Sequence, residues 1–153
     1  MIIYRLTTGE HSTDLSGTGA RLFGGRWNSA GLHALYTTSH ISLAVLENLV
    51  HVKKYRVPPD YRLISILIPE RIKPVVISKE KLKKNWKDDV AYSQFMGDEF
   101  LKGMDALILQ VPSVIVDEET NYIINPRHAD AGKLKISASR LFKFDKRLFL
   151  DNE

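Results

Sequence analysis

The sequence contains no cysteine among its 153 residues. This absence excludes a disulfide scaffold, a thiolate nucleophile and any metal site built on cysteine. Long hydrophobic runs are also missing, because no stretch reaches the 18 or so apolar residues of a membrane-spanning helix. The N-terminal residues MIIYRLTTGE lack the basic and apolar segments of a secretory leader. Together these absences predict a cytoplasmic protein that does not enter a membrane.

The composition is that of an ordinary globular protein. Apolar residues make up 44% of the chain and charged residues 26%, and the formal net charge is +4. A chain of this length is expected to form one domain, which we assign to residues 1–153. The mild positive charge is compatible with anionic ligands, but it is too small to indicate nucleic-acid binding by itself.

The hydrophobic pattern predicts more strands than helices. Strand-like segments lie at 2–6, 34–37, 62–69, 75–78, 105–112, 113–117, 120–125 and 136–145. Helical spacing occurs in three segments, at 39–54, 79–86 and 88–102. Because the strands do not alternate regularly with the helices, we expect an α+β fold with a mixed or antiparallel sheet and about three helices.

A glycine-rich segment precedes the first long helix. Residues 7–33 hold six of the nine glycines and are predicted to form a long shaped loop. In the motif GGRWN (24–28), Gly25 lets the main chain approach a ligand, and Arg26 offers a planar fork of donors for a phosphate. The alternative is a tight turn with a structural arginine and a buried Trp27.

Two further residues near this loop are candidates for a site. Glu47 lies within an apolar helical run, where a carboxylate is costly unless it is paired or used. The alternative places it on a solvated face beside Asn48. Tyr36, at the end of a strand, has a ring that can stack on a ligand and a hydroxyl that can form a hydrogen bond, although a lone tyrosine in a strand is more often part of the core. The histidines do not have the spacing of a metal site, so no metal is predicted.

The second half of the chain contributes weaker signals. Ser113 follows Pro112 at a strand junction, where its hydroxyl can point into a cleft or simply form a turn. No GxSxG motif surrounds it, which argues against a hydrolase-type nucleophile. Gly97 lies inside a predicted helix and indicates close packing or a kink.

Taken in order, these motifs resemble a known family. The stretch GARLFGGRWNSAGLHALYTTSHISLAVLENLVH (19–51) closely resembles the signature of the RES domain family. The resemblance continues through YSQFMGDEF (92–100) and LQVPSVIVDEETNYIINPRHAD (109–130), and it extends from residue 4 to about residue 145. Members of this family are toxins of type II toxin–antitoxin pairs whose antitoxin is an Xre-type helix-turn-helix protein.

The resemblance implies an ADP-ribosyltransferase-like fold that acts on NAD as a substrate and retains no cofactor. The family's four catalytic positions are matched by Arg26, Tyr36, Glu47 and Ser113. Gly25, Asn28 and Arg5 occupy further positions, which we assign to NAD binding together with Arg26 and Tyr36. In this interpretation Glu47 lies beside the ribose, Gly25 and Arg26 hold the diphosphate, and Tyr36 forms a wall for the nicotinamide.

The implied reaction is cleavage of the nicotinamide–ribose bond, by hydrolysis or by phosphorolysis. One alternative is transfer of ADP-ribose to a specific protein, which would use the same cleft. A second alternative is a nucleic-acid-directed toxin or an RNA-binding module, and its only support is the basic balance of the chain. The clearest basic run, KEKLKKNWK (79–87), has one aromatic residue and lies away from the motif. The resemblance also implies an Xre-type antitoxin that covers the active site and a possible homodimer, with no direct contact to nucleic acid.

Overall fold

The centre of the protein is a seven-stranded sheet, seen in a computed structural model that describes residues 1–52 and 60–149. The strands are β1 (Ile2–Thr8), β2 (Leu35–Thr38), β3 (Tyr61–Leu67), β4 (Val75–Val76), β5 (Ile108–Pro112), β6 (Thr120–Ile124) and β7 (Lys135–Leu141). Their order across the sheet is β4-β5-β6-β2-β1-β3-β7. The short β4 runs parallel to β5, whereas every other neighbouring pair is antiparallel.

Within residues 1–52 and 60–149, three α-helices accompany the sheet: α1 (Thr18–Phe23), α2 (Ile41–Leu49) and α3 (Val90–Gly103). This architecture confirms the predicted α+β class with a mixed sheet and about three helices. Helix α2 ends earlier than the predicted 39–54, and residues 53–54 of that prediction lie outside the described residues. The single domain assigned to 1–153 stays a prediction. No helix in the described ranges combines the length and the apolar character needed to cross a membrane.

The loop predicted at 7–33 contains the short helix α1. Two further segments differ from the pattern-based prediction. The helix predicted at 79–86 is replaced by two short 3-10 turns, because Leu82 adopts an extended conformation and is buried together with Trp86. The strand predicted at 113–117 is a bend, since the Ser113 hydroxyl accepts hydrogen bonds from the backbone N–H groups of Ile115 and Val116. In both places a local contact outweighs the periodic pattern.

Alternating side chains form a core on each face of the sheet. One face carries a cluster that includes Ile3, Ile64 and Ile124. The other face carries two clusters. The first surrounds Trp27 and includes Leu101 of α3, and the second includes Leu6 and Ala44 of α2. Helices α2 and α3 therefore pack over different parts of the same face.

A gap in the sheet lies between β1 and β2. In the described part of the chain these neighbours pair at a single position, where Tyr4 is opposite Thr38. The rest of β2 pairs only with β6 on its other side, while β1 pairs along its whole length with β3. Residues 4–7 and 36–38 on the facing edges of the two strands line one cavity. The strands therefore separate and leave main-chain groups available inside a cleft.

Candidate active site

The cleft between β1 and β2 is part of a cavity of about 750 Å³. This volume lies within the range of small-molecule sites in proteins. Its walls come from α1, the glycine-rich turn, β1, β2, α2, the segment that follows β5 and the start of β6. The cavity therefore collects residues that are far apart in the sequence, including most of those singled out from the motifs.

Glu47 projects from α2 into this cavity and is held by two donors. Its Oε1 accepts a hydrogen bond of 3.0 Å from the Ser113 hydroxyl and one of 2.6 Å from Nδ2 of Asn121. The partially buried carboxylate is thus anchored across 66 and 74 residues of sequence. The alternative of a simply solvated glutamate beside Asn48 does not describe this arrangement. Asn48 instead donates to the carbonyl oxygen of Leu6 and links α2 to β1.

Ser113 acts on the site through Glu47. Its side chain is fully buried, and its hydroxyl donates to Glu47 while it accepts from Ile115 and Val116. Ser113 is not one of the residues that line the cavity. Its geometry is therefore that of a positioning residue, and the hydroxyl is fully used by these contacts.

The glycine-rich turn is closed by a hydrogen bond of 2.9 Å from the Gly25 amide to the Asn28 carbonyl oxygen. Gly24, which caps α1, has a φ of 71° and a ψ of 175°, a conformation that favours glycine. At Gly25 the constraint is space, because a Cβ atom there would lie 2.5 Å from the Tyr36 hydroxyl. The two glycines therefore let the chain leave α1 and turn tightly beside β2.

The side chains of Tyr36 and Asn28 stabilise this turn through hydrogen bonds. The Tyr36 hydroxyl donates to Oδ1 of Asn28 at 2.7 Å and accepts from the backbone N–H of Trp27 at 2.8 Å. Asn28 is fully buried, and its Nδ2 donates to three backbone carbonyl groups of the surrounding loop. Tyr36 lines the cavity, whereas Asn28 does not and is connected to it through Tyr36, so the NAD-binding role of Asn28 stays a prediction.

Helix α3 supports the turn from its other side. Gly97 packs so closely that a Cβ atom there would lie 1.8 Å from the Trp27 carbonyl oxygen, which explains the glycine inside the helix. Gln94 donates to the Gly25 carbonyl oxygen at 2.9 Å, and Asp98 accepts from the Ser29 amide at 2.8 Å. Of the two readings of Gly97, close packing is confirmed.

Two arginines of the described residues, Arg26 and Arg5, line the cavity. Arg26 is partially exposed, and one guanidinium nitrogen donates to the Lys87 carbonyl oxygen at 2.7 Å, which fixes the side chain at one end. Arg5 donates to the carbonyl oxygens of Asp14 and His11 and connects β1 to the following loop. Burial lowers the pKa of Arg5, although the nearby carboxylate of Asp14 opposes this effect.

Two groups of cavity residues were missed among the predicted site residues. Asn121 contacts Glu47 directly, and its position within the motif NYIINPRH was the available signal.

The mouth of the cavity carries exposed apolar side chains from three separate segments. Phe23, Val50 and Ile115 are 86%, 62% and 36% exposed, respectively. Sequence periodicity does not identify such a rim, because its members belong to different elements.

Comparisons with known proteins agree with the motif resemblance. A family model described as RES domain matches residues 2–145. A Toxin Res of Photorhabdus laumondii is 40% identical over 152 residues, covering 97% of both chains. A Prs ADP-ribosylating toxin of Sphingobium is 37% identical over 139 residues, covering 88% of this chain and 86% of the relative.

The fold also has a counterpart among solved structures. A chain in the crystal structure of the Mycobacterium tuberculosis MbcT–MbcA toxin–antitoxin complex matches with a TM-score of 0.74. The sequence identity is 22%, and the match covers 92% of this chain and 83% of that chain. This likeness establishes a shared fold.

Proposed function

Because the chain belongs to the RES domain family, we propose that it is the toxin of a toxin–antitoxin pair and that it consumes NAD by cleaving the nicotinamide–ribose bond. The observation that carries this proposal is the anchored carboxylate of Glu47 inside a cavity that Arg26 and Tyr36 also line. A negative group facing a space of this size suits a substrate that develops positive charge on a sugar.

The chemistry requires little from the protein beyond placement and charge. When the glycosidic bond breaks, its electron pair leaves with nicotinamide and the ribose becomes oxocarbenium-like. The carboxylate of Glu47 stabilises this charge. Attack by water at the same carbon gives ADP-ribose and releases a proton, whereas attack by inorganic phosphate gives ADP-ribose 1-phosphate. Arg26 would neutralise the diphosphate, and Tyr36 would present its ring to the nicotinamide.

The direct test is incubation of the purified protein with NAD, with and without inorganic phosphate, and chromatographic analysis of the products. We expect nicotinamide together with ADP-ribose or its 1-phosphate. Glu47→Gln should lower the rate by roughly 10²–10³. Glu99→Gln is the matched control, because Glu99 is an exposed carboxylate on α3 outside the cavity. Equal turnover in the two variants would remove Glu47 from the reaction.

Transfer of ADP-ribose to a protein is the second candidate, and one relative favours it. The Sphingobium relative is named for ADP-ribosylation of Prs. Both reactions require the same bond cleavage and the same carboxylate, so they differ only in the acceptor. Labelled NAD added to a cell lysate separates them: label fixed on a protein band indicates transfer, and label found only in small molecules indicates free cleavage.

The clearest basic run of the chain gives the nucleic-acid alternative little support. In the basic run at 79–87, Lys79 and Lys87 both pair with Asp117, and Lys83 pairs with Asp89. The hydrogen bonds from Lys79 and Lys87 lower the pKa of Asp117 to about 2, as expected for a carboxylate that two ammonium groups contact. Much of the positive charge of this segment is therefore balanced locally.

The expected partner is an Xre-type antitoxin that covers the cavity. Its support is the exposed apolar rim of Phe23, Val50 and Ile115, since such side chains around a polar site indicate a protein contact. Phe23→Ser should weaken a complex with the antitoxin while it leaves the fold intact, as measured by calorimetry. The predicted homodimer is tested separately, by light scattering of the free protein.

A further inference from the structure

One buried polar side-chain atom lacks a hydrogen-bond partner in the part of the chain that the structure describes, namely Oδ1 of Asn121. Buried polar atoms in native proteins are almost always paired, so an exception of this kind requires a physical reason. Asn121 lies on β6, opposite Thr38 of β2 and Val111 of β5, and it lines the cavity of the candidate active site.

The orientation of the Asn121 amide is set by Glu47. The amide nitrogen donates to Oε1 of Glu47 at 2.6 Å. Turning the amide over would place its oxygen against that carboxylate oxygen, and two acceptors at this distance repel each other. The contact with Glu47 therefore leaves Oδ1 without a partner. The amide nitrogen of Asn121 is thus paired with Glu47, whereas the amide oxygen is unpaired.

Another asparagine at the end of the same strand shows the contrasting arrangement. Asn125 is buried, and its Nδ2 donates to the Leu101 carbonyl oxygen at 2.9 Å, while its Oδ1 accepts from the Arg127 amide at 3.1 Å. Both ends of this amide are used within the fold. Asn125 thus has the contacts of a structural residue, whereas only the nitrogen of the Asn121 side-chain amide is hydrogen-bonded.

We propose that Asn121 is a positioning residue for Glu47, retained although its unpaired oxygen lowers the stability of the fold. The proposal rests on the proposed function, in which Glu47 is the carboxylate that faces the ribose. Together with Ser113, Asn121 holds Oε1 and thereby restricts the orientation of the Glu47 carboxylate, whose residue lines the cavity. A glutamate side chain with several rotatable bonds would otherwise sample many directions.

The decisive variant is Asn121→Leu, which keeps a similar shape and removes both polar ends. Asn121→Leu removes an unpaired buried acceptor, which favours the fold, and one donor to Glu47, whose Oε1 keeps the Ser113 hydroxyl; these two effects on stability oppose each other. We expect its thermal midpoint to stay within about 2 °C of the wild type or to rise. The rate of NAD cleavage should fall by roughly 10²-fold through kcat, with KM changed less than about threefold, because the carboxylate is misplaced and not removed.

Asn125→Leu is the matched control for the stability measurement. It leaves the Leu101 carbonyl group and the Arg127 amide without their partner, so its midpoint should fall clearly below that of the wild type. Its kcat in the folded state should stay within about twofold of the wild type. A third variant, Asn121→Asp, keeps the shape, lacks the N–H donor and should also lose kcat.

The outcomes separate this proposal from the proposed function. Absence of NAD cleavage by the wild type, or full activity of Glu47→Gln, overturns the function itself. Wild-type activity of Asn121→Leu and Asn121→Asp, with Glu47→Gln inactive, overturns the positioning role alone. A thermal midpoint of Asn121→Leu as low as that of Asn125→Leu, or failure to fold, overturns the claim that the unpaired oxygen lowers stability. Reduced kcat with an unchanged or raised midpoint supports the proposal.

Discussion

The hydroxyl of Tyr36 donates a hydrogen bond of 2.7 Å to Oδ1 of Asn28, at a point where the ring of Tyr36 also lines the cavity. The same hydroxyl accepts from the amide of Trp27. One side chain therefore joins β2 to the glycine-rich turn and forms part of the cavity wall. The position of Arg26, between Gly25 and Trp27 in that turn, depends on this connection.

Replacement of Tyr36 separates the two roles. Tyr36→Phe keeps the ring but leaves Asn28 Oδ1 and the Trp27 amide unpaired, which should lower the free energy of unfolding by about 1–3 kcal/mol. Tyr36→Ala also removes the wall and should be the less active of the two. Turnover of NAD and urea unfolding measure both effects. Equal inactivity of two folded variants would assign the main contribution to the hydroxyl.

Tyr36 also predicts how stability depends on alkaline pH. Burial raises its pKa well above the usual value of 10.0, so the folded protein keeps this proton at a pH where the unfolded chain releases it. The contribution is complete below about pH 10 and is lost as the pH rises toward the folded pKa, with a slope of up to about 1.4 kcal/mol per pH unit.

Comparison with Tyr36→Phe isolates this effect. Urea unfolding at about pH 9 and pH 11 should show that the wild type loses roughly 1 kcal/mol more than the variant over this interval. Burial also raises the pKa values of Tyr61 and Tyr122, but both proteins contain these residues, so their contributions cancel. Equal losses in the two proteins would mean that the Tyr36 hydroxyl titrates normally.

The packing of α3 against the turn gives a prediction for Gly97. A methyl group there would lie 1.8 Å from the Trp27 carbonyl oxygen, so Gly97→Ala must push the helix and the turn apart. We expect a loss of about 1–3 kcal/mol or more in the free energy of unfolding, together with reduced NAD turnover. Gly132→Ala is the control, because no atom lies within 4 Å of the added methyl group. Similar stability of the two variants would contradict this account.

Local patterns predicted most strands and two of the helices, because period-two and helical spacing follow from burial of one face. Glu47 and Arg26 were identified for a different reason, because a charged side chain is unusual in the sequence that surrounds each of them. The separation of β1 from β2 was not predicted, since it depends on which strands pair across the sheet. The contact between Asn121 and Glu47 spans 74 residues and was likewise invisible to a local pattern.

Arg26 lines the cavity and is fixed at one end, where it donates to the Lys87 carbonyl oxygen at 2.7 Å. The planar guanidinium keeps further donors for an anion, whereas a lysine ammonium cannot reproduce that fork. Arg26→Lys should therefore raise the KM for NAD by roughly 10–100-fold, the range of a lost charged hydrogen bond, and change the thermal midpoint little.

Arg127→Lys is the matched control for Arg26→Lys, because Arg127 is exposed and does not line this cavity. Steady-state kinetics with NAD should leave this control at wild-type values. A KM for Arg26→Lys equal to that of the wild type would show that a single positive charge is sufficient at this position. The guanidinium would then serve mainly to tie the glycine-rich turn to the segment around Lys87, and Arg26→Met should reduce stability more than it reduces NAD affinity.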